Sequence, residues 1–363
     1  MRRLLALLAA LAAPAAAQEP ARDDVAVRAR FEQAVAGSGF QGVYALSSGG
    51  RRLAGGAIGE AAPGTPFAYE MVFPWASVTK QVVATMVMQE VAAGRVALDA
   101  PASRYLPELR RGGRSPTVRE LLQHRSGLRN PDDSPADATG FPSFYKTGPT
   151  GLSWCYAGRG SPGGNWRYNN CDYLALGALL ERVAKRPLPE LYVERIGSAT
   201  GVDARFVIGP GETRADADWR GGPDDAFRTM LARFGAAGGL VGTADDMLGF
   251  DQALMSGALL LDRDRAEMWR GDPELGYQAL GQWSFDAPLK GCAGPVRLVE
   301  RRGAIGRFQV RNVIAPDRGM AMVLLTNRGE PQGDGRAEGA FDFGEIWRGR
   351  GPSHDLLAAA LCP

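Results

Sequence analysis

"VRLVERRGAIGRFQVRNVIAPDRGMAMVLLTN", residues 296–327, is the stretch on which the fold turns. It holds β-rich runs separated by Gly, Pro and Asp, and "LGQWSFD" lies just upstream. Such short bounded runs read as consecutive antiparallel strands. At the other end of the chain, "GVYALSSGGRRLAGGAIG" (residues 42–59) has two partly apolar runs around Ser48-Gly49-Gly50, a hairpin signal. Between the two strand regions the periodicity is helical, and a last helix is expected in "SHDLLAAAL". Strands at both ends with helices between them predict an α+β fold. One lobe is an antiparallel sheet completed by both termini, over about residues 27–65 and 236–363. A mostly helical lobe, about 66–235, is inserted within it. No internal repeat or low-complexity linker interrupts the pattern.

The helices have readable limits. In "PWASVTKQVVATMVMQEV" (residues 74–91) a helix is predicted from Ser77. Val82, Val83, Met86, Val87 and Val91 make it apolar on most sides, so it belongs at the centre. Gly94 suits a left-handed stop after it. In "SPTVRELLQHRSGL", Thr117 and Glu120 have capping-box spacing, predicting a helix over Val118 to His124 with Gly127 as its stop. Residues 130–164 are rich in Gly, Pro, Ser and Asp and read as long ordered loops. "CDYLALGALLERVAKRP" is helical again and ends before Pro187.

The first residues carry a secretory pattern. Arg2 and Arg3 form a positive start, Leu4 to Ala13 a short apolar segment, and Ala15-Ala16-Ala17 a cleavage site. Residues 1–17 are therefore expected to be removed, placing the mature chain, 18–363, in the periplasm or outside the cell. No later stretch reaches a membrane-spanning length. With 42 Lys+Arg against 40 Asp+Glu, and two of the arginines in the leader, the mature chain is neutral. A neutral chain without a basic stripe argues against nucleic acid as a partner. A monomer acting on a small-molecule or peptidoglycan-derived substrate is expected. The four cysteines, Cys155, Cys171, Cys292 and Cys362, favour disulfides in an exported chain. Three connectivities are possible, and Cys155–Cys171 with Cys292–Cys362 is preferred because the first pair closes a Gly-rich loop. Zinc is a poor alternative, since no C-x-x-C occurs and the histidines are only His124 and His354. No metal or cofactor is expected; Asp245 and Asp246 read as a helix start.

The chemistry rests on Ser77 and Lys80. A serine hydroxyl is a poor nucleophile until a base takes its proton. Neither histidine lies in a G-x-S-x-G elbow, and no such elbow exists here. If Ser77 begins a helix, Lys80 lies one turn on, on the same face. The helix start favours the nucleophile, and burial would lower the lysine's pKa enough to make it a base. S-x-x-K alone is weak evidence, because Ser143 and Lys146 repeat it.

The surrounding blocks are more specific. "FPWASVTKQVVATMVMQEVAAGRVALDAPASRYLPEL", "TVRELLQHRSGL", "RYNNCDYLALGALLERV" and "AAGGLVGTADDM" resemble, in family order, the serine β-lactamase and penicillin-binding superfamily. The branch they resemble most is that of class C β-lactamases, DD-peptidases and esterases. The resemblance runs from Gly42 to Asn327. It implies an antiparallel sheet flanked by terminal helices plus an all-α lobe, and an acyl-enzyme hydrolase of β-lactams, D-amino-acid peptides or small esters. By the same resemblance Ser77 is the nucleophile and Lys80 its partner. Tyr168 of Tyr168-Asn169-Asn170 is a proton shuttle acidified by nearby cations, and Asn170 holds Lys80 and the substrate. The third element, K-T-G or H-x-G in the family, departs here. Lys146-Thr147-Gly148 precedes Tyr168 in a Pro/Gly-rich loop and reads as a decoy. In the expected order stands "RRGAIGRF", with Arg301 in place of Lys or His. Gly303 would let the strand approach the substrate, and Ala304 N–H would join that of Ser77 in an oxyanion hole. Read without the resemblance, Tyr168 is an apolar anchor, Arg301 an exposed strand residue and His124 a structural helix end. The altered third element motivates an alternative, a catalytically weak protein that binds peptidoglycan or a partner.

Overall fold

The N-terminal hairpin forms where the Ser48-Gly49-Gly50 signal lies. Strand β1 (Gly42–Ser48) turns into β2 (Arg51–Ile58) through Gly49 and Gly50, both left-handed at φ 56° and 81°. Two successive positive φ values match the strands' twist and are met most readily by glycine. The C-terminal runs become β3 (Trp283–Ala287), β4 (Val296–Ile305), β5 (Phe308–Ala315) and β6 (Met320–Thr326). All six form one antiparallel sheet in the order β2-β1-β6-β5-β4-β3, so the two ends of the chain meet at β1 and β6, with Val43 opposite Leu325. The structure, a computed structural model, describes residues 23–138, 141–148, 150–209, 225–328 and 341–362. The expected leader, residues 1–17, lies outside them.

Strand alternation gives the sheet two apolar faces. Leu46, Met322 and Leu324 pack with Phe31 and Val35 of α1 (Asp24–Gly37) and with Leu356 and Leu357 of the C-terminal helix, Pro352–Leu361. The Cys292–Cys362 disulfide ties that last helix back to the segment between β3 and β4. On the other face, Val43, Ala45, Val323 and Leu325 join a larger core with Val82, Val83, Met86 and Val87 of α2 (Thr79–Ala92). Among the described residues, no helix is long and apolar enough to cross a membrane.

Two helix starts and stops differ from expectation. Ser77 sits in a short 3-10 turn, Ala76–Val78, and α2 begins at Thr79. The turn closes with the Val78 N–H donating to the Trp75 carbonyl at 3.0 Å, three residues back and not four, and Ala76 just before Ser77 is left-handed at φ 47°. Helix α3 covers Val118–Leu122 with the Thr117–Glu120 capping box formed, but it ends before His124, which is left-handed at φ 60°. Helix α4 runs Asn170–Ala184 and packs across α2 and α3. Asp246 caps the helix Ala244–Met255 together with Thr243, as a helix start should.

Candidate active site

Strand β4 outruns its neighbour. Its pairing with β3 ends at Trp283 opposite Glu300, so residues 301–305 form a sheet edge beside the Ser77 turn. Gly303 makes that approach possible. A Cβ there would lie 2.5 Å from the Trp75 carbonyl oxygen and 3.1 Å from the Ala76 Cβ. The glycine therefore lets the strand meet the nucleophile turn, and it also lines the cleft where an approach to substrate is expected. Ala304 follows it, and Ser77, Tyr168, Trp283, Arg301, Gly303 and Ala304 line one cleft of about 290 Å³. A larger hollow of about 810 Å³, near Glu108 and Arg159, lies apart from these groups.

Within the cleft the Ser77 hydroxyl touches two proton-handling groups. Lys80 Nζ donates to Ser77 Oγ at 3.0 Å and to the Ala237 carbonyl at 2.5 Å. Tyr168 shares a short hydroxyl–hydroxyl hydrogen bond with the same Oγ. Lys80 is fully buried, its Nζ 4.8 Å from the Tyr168 ring centroid and 5.6 Å from that of Tyr173. Burial first, and the charge of Arg301 second, hold the Lys80 amine well below the ordinary lysine range, which favours its neutral form. Tyr168 corrects an expectation. Burial raises its phenol above the usual value, and the Arg301 charge and the Ser77 bond only partly oppose this. The two shifts run in opposite senses, favouring the neutral amine on Lys80 and the protonated phenol on Tyr168.

The remaining predicted residues divide. Asn170 makes no hydrogen bond to Lys80 among the described residues. Its Nδ2 donates to Tyr145 Oη at 2.7 Å and reaches Asp132 Oδ1 at 3.5 Å, because these two groups flank the start of α4. Its Oδ1 is buried and without a protein partner among the described residues. Arg301 is not an exposed strand residue. It is fully buried, and its Nε donates to the Ser77 carbonyl at 2.9 Å. Its guanidinium lies 5.1 Å from the Trp283 ring and 5.6 Å from the Tyr168 ring. The second S-x-x-K is engaged elsewhere, with Lys146 donating to Asp137 at 2.6 Å. Both predicted disulfides are formed, and Cys155–Cys171 anchors the loop that leads into Tyr168. Sequence reasoning missed Asp132 and Tyr145, which carry no motif. Proximity to Asn170 is their only signal, and it exists only in the fold. Among the described residues, no group of three His, Cys, Asp or Glu side chains is placed to hold a metal ion.

With this geometry in view, the comparisons are specific. Residues 27–343 match the family described as Beta-lactamase. Esterase EstB of Burkholderia gladioli is 29% identical over 283 residues, 65% of this chain and 70% of that protein. Among solved structures, the D-stereospecific amidohydrolase from Streptomyces sp. superposes with a TM-score of 0.66 at 24% identity, covering 94% of this chain and 99% of that one. The D-amino acid amidase from Ochrobactrum anthropi SV3 gives 0.69 at 22% identity, covering 93% and 98%. These two likenesses establish a common fold. Since the family match takes in the sheet, the helices of the inserted region and every residue lining the Ser77 cleft, the chain belongs to the Beta-lactamase family.

Proposed function

We propose that the protein is a serine hydrolase that works through an acyl-enzyme on Ser77, with a small ester or an amide of a D-amino acid as its substrate. One observation carries the reading: Ser77 Oγ is in hydrogen-bond contact with both Lys80 Nζ and Tyr168 Oη. Lys80, as a neutral amine, takes the hydroxyl proton while Oγ attacks the substrate carbonyl carbon. The resulting oxyanion is received by the Ser77 N–H and by Ala304 on the β4 edge, which is held in place by Gly303. As the carbonyl re-forms, the bond to the leaving group breaks. Tyr168 gives its phenolic proton to the departing atom and regains one from the Lys80 ammonium. Water then attacks the ester on Ser77 by the same path in reverse, releasing the acid and restoring the free hydroxyl.

The substrate class draws on the relatives, by their names an esterase, a D-stereospecific amidohydrolase and a D-amino acid amidase. A β-lactam is the third candidate for the same acyl chemistry. Export to an oxidising compartment is part of the reading, supported by the two disulfides and the leader-like residues 1–17. The test is turnover of 4-nitrophenyl acetate, D-phenylalanine amide and a penicillin by wild type and Ser77→Ala. Ester or amide hydrolysis that disappears in Ser77→Ala is expected. Hydrolysis that survives the substitution contradicts the reading.

A further inference from the structure

His124 carries no step in this scheme, yet the backbone on both sides of Tyr168 is bonded to it. The Arg167 N–H donates to the His124 carbonyl at 3.1 Å, and the Asn169 N–H donates to its Nδ1 at 3.2 Å. Between those bonds the Tyr168 ring lies against the imidazole, with centroids 4.8 Å apart. Asn130 Nδ2 adds a bond to the Tyr168 carbonyl at 3.1 Å. His124 presents both its carbonyl and its ring to this segment from a left-handed backbone, φ 60°. Such a conformation is uncommon outside glycine and persists only where the surroundings hold it.

Those surroundings are built. Asp172 Oδ2 is 3.4 Å from His124 Nδ1, and Ser126 donates to the other carboxyl oxygen. All three side chains are buried. Because Nδ1 accepts from Asn169, a neutral imidazole carries its hydrogen on Nε2. Protonating Nδ1 would set donor against donor. Burial, then the charges of Arg301 and Lys80, hold His124 well below the usual histidine range. Toward Tyr168 the ring is an acceptor and a wall.

We propose that His124 is a positioning residue that sets the Tyr168 hydroxyl for proton transfer to the leaving group, an inference that rests on the acyl-enzyme reading above. Leaving groups separate this role from simple support of the fold. An ethoxide needs a proton to depart, whereas 4-nitrophenolate does not. His124→Asn is the informative variant, since asparagine tolerates a left-handed backbone and keeps an acceptor but lacks the ring. The experiment compares kcat and KM on the ethyl and 4-nitrophenyl esters of one acid for wild type, Tyr168→Phe and His124→Asn. General acid catalysis is typically worth about 10²–10⁴ in rate, so both variants should lose at least about tenfold more kcat/KM on the ethyl ester, the ratio that reports acylation alone and not the hydrolysis of the acyl-enzyme common to both esters. If Tyr168→Phe is selective but His124→Asn loses equally on both esters, or on neither, the positioning role is overturned. A Tyr168→Phe without selectivity removes the reading beneath it instead. Should His124→Asn not fold, the wild type decides. With only two histidines in the chain, ¹⁵N spectra should show His124 as the Nε2–H tautomer without titration through the ordinary histidine range. A titrating ring, or one protonated on Nδ1, would overturn the proposal.

Discussion

Arg301→Ala should separate two effects of one buried charge. The guanidinium is fully buried, and its Nε donates to the Ser77 carbonyl. Arg301 lines the cleft, and its Nη1 and Nη2 are buried without a hydrogen-bond partner among the described residues; a turn of the side chain toward the cleft would offer them to a carboxylate as a two-bond fork. A charged hydrogen bond is worth about 1.5–3 kcal/mol. A carboxylate-bearing ester should therefore lose about 10- to 150-fold in kcat/KM. A neutral ester lacks that contact and should lose much less. Its loss should carry a pH signature, because the Arg301 charge is second only to burial in lowering Lys80. Removing the charge lets the lysine pKa rise. Since the reaction needs the neutral amine, the acid limb of kcat/KM moves to higher pH and activity recovers as pH is raised. The assay is the pH profile of kcat/KM for 4-nitrophenyl acetate and mono-4-nitrophenyl succinate. Equal losses on both esters at the high-pH plateau would mean that Arg301 acts only as scaffold, and an unmoved acid limb would mean that its charge does not reach Lys80.

Gly303→Ala places a methyl 2.5 Å from the Trp75 carbonyl and must push β4 away from the nucleophile turn; overpacking of about 1–3 kcal/mol should lower Tm and, with it, most of kcat. Ser143→Ala should leave kcat/KM unchanged, because Lys146 is occupied by Asp137; a large loss would reassign the nucleophile. Reducing Cys155–Cys171 should lower ester turnover before global unfolding, since that bridge closes the loop leading into Tyr168 and is worth about 3 kcal/mol in the chain-entropy picture. Peptide mapping without reductant that recovered both thiols free would end this expectation.

Much of the fold was legible because its signals are local. Gly49-Gly50 marks the hairpin, Thr117 and Glu120 mark a helix start, and short β-rich runs bounded by Gly, Pro and Asp mark β3 to β6. Ser77 and Lys80 are three residues apart, so helical geometry alone brings them together. What escaped depends on non-local contact. The positive φ of Ala76 and His124 is not signalled by residue type, and neither the 3-10 turn at Ser77 nor the early end of α3 is marked in the sequence. Gly303 was singled out for close approach, but that the backbone of Trp75 is what it meets could be seen only in the fold. The sign of the Tyr168 shift was missed because nearby cations are visible in a sequence and full burial is not. Asn170 was assigned to Lys80 by resemblance, while Tyr145, which takes its amide, lies 25 residues away in the loop.

The central claim is that Ser77 is acylated with Lys80 as its base. It is tested most directly by intact-mass analysis, with peptide mapping, after exposure to a fluorophosphonate. The account predicts one adduct per chain, located on Ser77, absent in Ser77→Ala and formed far more slowly in Lys80→Ala. An adduct at another residue, or a chain that stays unlabelled while folded, would contradict it.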